Sequence, residues 1–128
     1  MSKEIISTNK APQAIGPYSQ AVKTGNLIFI SGQVPINPQT GDVVSGSIED
    51  QAIQVIQNIQ NICEAAGHDL GDIVKLSIFL TDLGNFSIVN EAMKKYLKWE
   101  VNLTSQIKRD GTAKFFIFPN LDLPEISK

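Results

Sequence analysis

The feature that most constrains this fold is an amphipathic segment at residues 47–66. Its apolar side chains recur at three- and four-residue spacing, which places them on one stripe of an α-helix. Ser47 and Asp50 form a capping-box pattern at its start, and Gly67 is a typical residue just past a helix end. A helix with one apolar stripe has to cover another layer, so we expect a sheet elsewhere in the chain. The stripe consists of Ala52, Val55, Ile59, Ile62 and Ala66, widened by Ile53 and Ile56.

A β-hairpin is predicted ahead of this helix. Residues 19–23 and 27–32 flank Thr24-Gly25-Asn26, which is typical of a hairpin turn, and residues 3–8 form a short strand pattern before them. Residues 27–30 are a continuous apolar run, which indicates a strand covered on both faces.

A further strand and a second helix are predicted after the long helix. Residues 73–80 alternate, with Leu76 and Ile78 on one face and Lys75 on the other. Apolar spacing then predicts a helix at about 85–99. The order of elements predicts an α+β fold with two helices on one face of a sheet.

The composition limits the class of protein. The 128 residues suit a single domain, 1–128, and the net charge of −2 gives nucleic acid little reason to bind. No apolar run approaches the roughly 20 residues of a membrane span, and the first residues lack the apolar core of a signal peptide, so we expect a cytoplasmic protein with no membrane partner. With only one cysteine and one histidine, the chain cannot assemble a usual zinc site, so no metal is expected.

The single cysteine and the single histidine are both predicted to have no catalytic role. Cys63 lies beside the apolar stripe, close to Ile59 and Ile62, and is predicted to be a small buried hydrophobe, not a nucleophile. His68 follows the helix-ending glycine with no carboxylate, cysteine and serine arrangement nearby, and is predicted to be a surface loop residue, not a general base.

Several short motifs occur along the chain in a specific order. Together they resemble the Rid family, the YjgF-type reactive-intermediate deaminases, over about three quarters of the chain. Any one motif is weak evidence, whereas the ordered set is specific. The motifs are Ala11-Pro12, Ile-Gly-Pro-Tyr-Ser-Gln-Ala at 15–21, Ile-Ser-Gly-Gln-Val-Pro at 30–35, Asn-Pro-Gln-Thr-Gly at 37–41, the helix pattern at 51–67, Asp-Ile-Val-Lys at 72–75, and the stretch 79–90.

The resemblance implies a chorismate-mutase-like α+β fold and a homotrimer with three sites in the clefts between subunits. It implies hydrolysis of 2-iminobutanoate, 2-iminopropanoate and related enamines to 2-oxo acids and ammonia, with no cofactor. The expected ligands are therefore small 2-imino or 2-oxo acids. By position, Tyr18 matches the family's site tyrosine, Ser31 and Gly32 match the strand end that lines the cleft, and Asn90 matches the asparagine of the second helix.

Each of these residues also has a purely structural interpretation. Tyr18 is then a half-buried tyrosine that packs on the sheet, Ser31 and Gly32 form a strand-ending turn, and Asn90 is a solvated helix residue. The family position favours the site for all four.

Residues 100–128 depart from the family pattern, which ends in a Pro-Ala-Arg motif and a final strand containing glutamate. Arg109, the only arginine, lies near the position expected for the family arginine; it serves as a fork for the substrate carboxylate or is a solvated charge. Loss of the final strand would leave an unpaired sheet edge. Three explanations of this departure are possible. The reading frame slips near residues 99–103, the protein has diverged into a non-catalytic member, or Arg109 acts from a remodelled loop.

Two rival functions follow. The missing arginine motif favours a catalytically impaired trimer that binds small carboxylates or a protein partner. A ribonuclease that inhibits translation would require a basic surface; Lys94, Lys95 and Lys98 form a basic helix face, but their place near a helix C-terminus explains them without RNA.

Overall fold

The computed structural model describes residues 3–73 and 75–97, together with the backbone of residues 113–118. Within these residues the chain forms an α+β fold, as the sequence predicts. The elements are β1 (Glu4–Ile6), β2 (Ala21–Thr24), β3 (Leu27–Ile30), α1 (Ile48–Ala65), β4 (Lys75–Ile78), α2 (Phe86–Leu97) and β5 (Ala113–Phe118), with short 3₁₀ turns at Leu70–Asp72 and Leu83–Asn85.

The strands form one mixed sheet in the order β1-β2-β3-β5-β4. The first three strands pair antiparallel, and the predicted hairpin turn is confirmed, with Thr24 opposite Leu27 and Gly25 at φ 56°. A left-handed φ of this kind favours glycine because other side chains clash there.

Strand β5 lies in the interior of the sheet and runs parallel to both of its neighbours. It consists of the six residues Ala113–Phe118. It fills the place between β3 and β4, so the described sheet has β1 and β4 as its edge strands. Its pairing with β3 stops at Phe29 opposite Phe115, whereas its pairing with β4 continues to Ile78 opposite Phe118.

The ends of α1 confirm the predicted caps. Ser47 Oγ accepts from the Asp50 backbone N–H at 3.2 Å, and Asp50 Oδ2 accepts from the Ser47 N–H at 3.2 Å. At the other end Gly67 has φ 83°, and the His68 N–H donates to the Cys63 carbonyl at 2.9 Å. This 6→1 bond past a left-handed glycine is the Schellman arrangement, which satisfies carbonyls that the helix leaves open.

Both helices cover one face of the sheet, as predicted. Apolar side chains of α1, α2 and this face form the core, and Cys63 is buried there as expected. Phe29 is 44% exposed between buried Ile28 and Ile30, so the prediction that residues 27–30 are covered on both faces is wrong for the single chain. The largest fully buried side chains are Ile56, Ile59, Ile62, Ile73, Met93, Val55, Val89 and Asn58.

Candidate functional site

An open groove of about 420 Å³ lies at the carboxyl end of β3, where β5 no longer pairs with that strand. The groove brings together three of the predicted site residues, Tyr18, Ser31 and Gly32. Its volume falls within the roughly 300–1,000 Å³ of small-molecule sites. The lining comes from residues 12–15, 18–20, 31–34 and 36.

Tyr18 stands at the mouth of the groove. Its side chain is 73% exposed, so the structural interpretation as a half-buried tyrosine that packs on the sheet is wrong for the single chain. Two residues earlier, Gly16 has φ 76°, a left-handed conformation that other residues rarely adopt. This turn carries Ile15 and Tyr18 outward, leaving the Tyr18 hydroxyl able to donate to or accept from a ligand.

Ser31, which also lines the groove, is fixed at two points. Its backbone N–H donates to the Gln20 carbonyl at 3.0 Å, which extends the β2–β3 pairing by one step. Its hydroxyl donates to the Ser19 carbonyl at 2.5 Å. The Ser31 hydroxyl proton is therefore committed, and its oxygen remains available to a ligand only as an acceptor.

Gln20 is a buried residue of this site that the sequence did not single out. Its side-chain oxygen accepts from the Thr8 N–H at 2.6 Å, and its side-chain nitrogen donates to the carbonyls of Thr8, Ala11 and Pro12 at 2.9, 3.2 and 2.7 Å. One carboxamide thus holds the irregular loop that forms one wall of the groove. The available signal was the loop itself, since its backbone groups need partners and it has no strand pattern.

Asn58 is a second buried amide that the sequence did not single out. It is 0% exposed within α1, and its Nδ2 donates to the Ile36 carbonyl at 2.9 Å, with a longer contact to Val34 at 3.4 Å. Its Oδ1 accepts from Gln54 Nε2 at 3.0 Å. Asn58 lies next to Ile59 on the apolar stripe, and a polar side chain at a buried helix position requires partners of this kind.

Asn90 does not join the other predicted residues in the single chain. It lies on α2, half-buried, with its Oδ1 buried and without a hydrogen-bond partner among the described residues. It does not line the groove. Arg109 lies outside the described residues.

The described wall of the groove is mostly apolar, and no lysine, arginine, histidine or acidic side chain lines it. Tyr18 is the only ionisable side chain among the described residues that line it. His68 lies elsewhere, partly exposed just after α1, with its Nδ1 3.1 Å from Asp72 Oδ2. Across residues 3–73 and 75–97, histidine, cysteine and acidic side chains do not converge in groups of three or more. In the same part of the chain, neither helix is long and apolar enough to span a membrane.

Comparison with known proteins gives one consistent family. The sequence pattern described as Endoribonuclease L-PSP matches residues 8–108. A RutC family protein from Pyrococcus abyssi is 52% identical over 96 residues, which cover 75% of this chain and 76% of that protein. Reactive Intermediate Deaminase A, chloroplastic, from Arabidopsis thaliana is 50% identical over 96 residues, covering 75% of this chain and 51% of that protein.

The fold comparison agrees with the sequence comparison. The crystal structure of Escherichia coli TdcF with bound serine superposes with a TM-score of 0.73 at 36% identity, and covers 95% of this chain and 89% of that chain. The ordered motifs, the α+β architecture and these relatives lead to one conclusion: the chain belongs to the Endoribonuclease L-PSP family, whose members include the YjgF and Rid proteins.

Proposed function

We propose that this protein is a hydrolytic deaminase of reactive 2-imino acids and their enamines, with 2-iminobutanoate and 2-iminopropanoate as substrates. Water adds to the imine carbon, the carbon–nitrogen bond breaks, and a 2-oxo acid and ammonia leave. The observation that supports this most is the groove in which Tyr18, Ser31 and Gly32 meet. The reactive-intermediate deaminase name of the Arabidopsis relative supports the same class of reaction.

The groove residues have distinct proposed roles. The exposed Tyr18 hydroxyl orients the attacking water or the substrate, since it can both donate and accept. The Ser31 oxygen accepts from the imine nitrogen or from water, and the glycine allows the substrate to approach the backbone at Gly32. A groove that positions the imino acid and the attacking water next to each other removes the entropic cost of bringing them together, which is a large part of a catalytic effect.

The substrate carboxylate needs a cationic or hydrogen-bonding partner. We propose Arg109 for this role, because its planar guanidinium can make two parallel bonds to a carboxylate. Serine, which carries the same carboxylate, is bound in the TdcF crystal structure.

We propose that the working protein is a homotrimer of the chorismate-mutase-like type, with Asn90 of one subunit completing the groove of its neighbour. Three observations support a covering partner: Phe29 is 44% exposed on the sheet face opposite the helices, Tyr18 is 73% exposed, and the buried Asn90 oxygen lacks a partner within the described part of its own chain. Apolar patches on a sheet face are typical of subunit contacts.

A coupled assay tests the proposed activity. A pyridoxal-phosphate-dependent threonine dehydratase generates 2-iminobutanoate in the presence of semicarbazide, which reacts rapidly with the free imine and only slowly with the 2-oxo acid. The protein should lower the yield of trapped imine and speed ammonia release. Arg109→Gln should abolish most of the effect, whereas Lys94→Gln, which removes one exposed positive charge elsewhere, should retain it. Unchanged ammonia release with the wild-type protein would rule the activity out.

One observation favours a second function, a catalytically impaired trimer that binds small carboxylates. The described wall of the groove contains no lysine or arginine. Such a protein would bind 2-oxobutanoate in a calorimetric titration and leave the lifetime of 2-iminobutanoate unchanged. The same pair of measurements therefore separates the two functions.

A further inference from the structure

A second cleft, of about 590 Å³, lies beside α1 and shares no lining residue with the groove. We call it the amide cleft, because six of the eight described residues that line it carry a carboxamide side chain. Its volume falls within the roughly 300–1,000 Å³ of small-molecule sites. The lining consists of Asn9, Lys10, residues 37–39, Gln54, Gln57 and Asn61.

Both walls of the amide cleft are tied to α1 by asparagine side chains. Asn61 Nδ2 donates to the Lys10 carbonyl at 2.8 Å, and this bond fixes the first wall. Asn58 Nδ2 donates to the Ile36 carbonyl at 2.9 Å, next to the start of the second wall. The width of the cleft is therefore set by bonds to one helix.

The second wall is also closed by bonds of its own. Asn37 Oδ1 accepts from the Gln39 N–H at 2.8 Å, and the Asn37 carbonyl accepts from the Gly41 N–H at 2.8 Å. Gly41 has φ 77°, which favours glycine and completes the turn. The carboxamide of Asn37 is thus oriented by its oxygen and keeps both N–H groups for a ligand.

Other amide groups of the cleft also lack partners in the part of the chain that the structure describes. The exposed Gln57 side chain forms no hydrogen bond there, and Gln54 and Asn61 use only their nitrogens. A carboxamide offers a donor and an acceptor side by side. Neighbouring hydroxyl groups match this pattern, because each hydroxyl both donates and accepts.

The charge of the cleft is opposite in sign to that of the whole chain. Lys10 is the only charged side chain among the described residues that line it, and its Nζ forms no salt bridge with a described carboxylate. The chain as a whole has a net charge of −2. A single ammonium group without an acidic neighbour favours a ligand with one anionic group.

We propose that the amide cleft binds a small polyhydroxylated anion, a polyol that carries one phosphate or one carboxylate. The anionic group pairs with Lys10, and the hydroxyls bond to the carboxamides of Asn37 and Gln57. Pro38 provides an apolar surface for the C–H groups of the polyol. This site is separate from the groove and does not depend on the proposed deaminase activity.

The test uses glucose 6-phosphate and gluconate as probes of the two anionic groups. Either probe should shift the side-chain amide resonances of Asn37 and Gln57 in the ¹⁵N-labelled protein. Its Kd should be at least about tenfold lower than that for glucose or for inorganic phosphate, since neither of these carries both the anion and the hydroxyls. A response to only one probe supports the site and identifies the anion.

Variants at exposed positions test the two contacts without disturbing the core. Lys10→Gln should raise the Kd about tenfold, and Lys10→Arg, which keeps the charge, should restore most of the affinity. Gln57→Ala should raise the Kd severalfold. Lys94→Gln removes an exposed positive charge that does not line the cleft and should leave the Kd at the wild-type value.

Four results would overturn the inference. The first is an absence of shifts at Asn37 and Gln57 with both probes at millimolar concentration, and the second is equally tight binding of inorganic phosphate. The third is a Kd that changes no more in Lys10→Gln than in Lys94→Gln. The fourth is a response at Ser31 and Gly32 in place of the cleft, because the probe would then occupy the groove.

Discussion

The side chain of Gln20 satisfies both backbone groups of Thr8, accepting from its N–H at 2.6 Å and donating to its carbonyl at 2.9 Å. Two residues in an antiparallel ladder exchange bonds in the same way, through their backbones. The carboxamide thus substitutes for a strand where β1 has already ended at Ile6. It joins the start of the groove loop to the strand pair that carries Ser31.

Replacing Gln20 by methionine should therefore be costly. The change keeps the side-chain length but removes four hydrogen bonds, so the Thr8 N–H and the carbonyls of Ala11 and Pro12 lose the Gln20 partner, while the Thr8 carbonyl keeps its bond from Gln13. We expect the free energy of unfolding to fall by about 3 kcal/mol, since an unsatisfied buried group costs roughly 1–3 kcal/mol. Urea denaturation measures this. The control Gln13→Met alters an exposed glutamine with one bond to Thr8 and should change stability by less than about 0.5 kcal/mol. Equal losses in both variants would contradict the role of Gln20.

Asn58→Leu tests the link between α1 and the other wall of the groove. Leucine fits a buried helix position, but it leaves the Ile36 carbonyl without its donor. We expect a loss of about 2 kcal/mol in the free energy of unfolding, because the cost of the unpaired carbonyl exceeds the gain in apolar burial. Gln57→Leu, at an exposed position of the same helix, serves as the comparison. A stability gain in Asn58→Leu would show that the amide is dispensable.

Ser47→Ala tests the cap of α1. The alanine cannot accept from the Asp50 N–H, and we expect thermal unfolding to report a loss of about 1 kcal/mol. Ser47→Gly should lose only a few tenths of a kcal/mol, because glycine is a tolerable N-cap residue. Ser45→Ala, at an exposed serine just before the cap, should have no measurable effect. Indistinguishable values for Ser45→Ala and Ser47→Ala would refute the capping contribution.

Tyr18→Phe tests the proposed chemistry without disturbing the fold. The hydroxyl belongs to a side chain that is 73% exposed, so its removal should leave the unfolding midpoint unchanged. If it orients water or substrate, kcat/KM for 2-iminobutanoate should fall about tenfold, equivalent to about 1.4 kcal/mol in the transition state. Tyr96→Phe, on α2 and away from the groove, provides the matched loss of a hydroxyl. An unaltered kcat/KM in Tyr18→Phe would remove the tyrosine from the mechanism.

The sequence predicts best those structural elements that are determined by residues close together along the chain. Helix α1, with Ser47 and Gly67 at its ends, follows from a local pattern, and so does the turn at Gly25. The place of β5 between β3 and β4 does not, because nothing in a six-residue apolar strand specifies partners so distant in sequence.

The residues of the candidate site also fall into a group that the sequence predicts and a group that it does not. Tyr18, Ser31 and Gly32 were predicted from the order of motifs, since their local patterns fit turns and surface residues equally well. Gln20, Gln33 and Asn58 were not, because a buried amide is recognised by the carbonyls around it. Those carbonyls are placed by the tertiary structure alone.

The interior position of β5 has a consequence for how a newly made chain acquires its structure. The hairpin of β2 and β3 can form early from local contacts, but β4 cannot join it through the sheet until the ribosome has released Ala113–Phe118. Until then the edges of β3 and β4 that pair with β5 have no strand partner. Contacts between residues distant along the chain are also slow to form. We expect nascent chains shorter than this point to depend on chaperones that shield open strand edges.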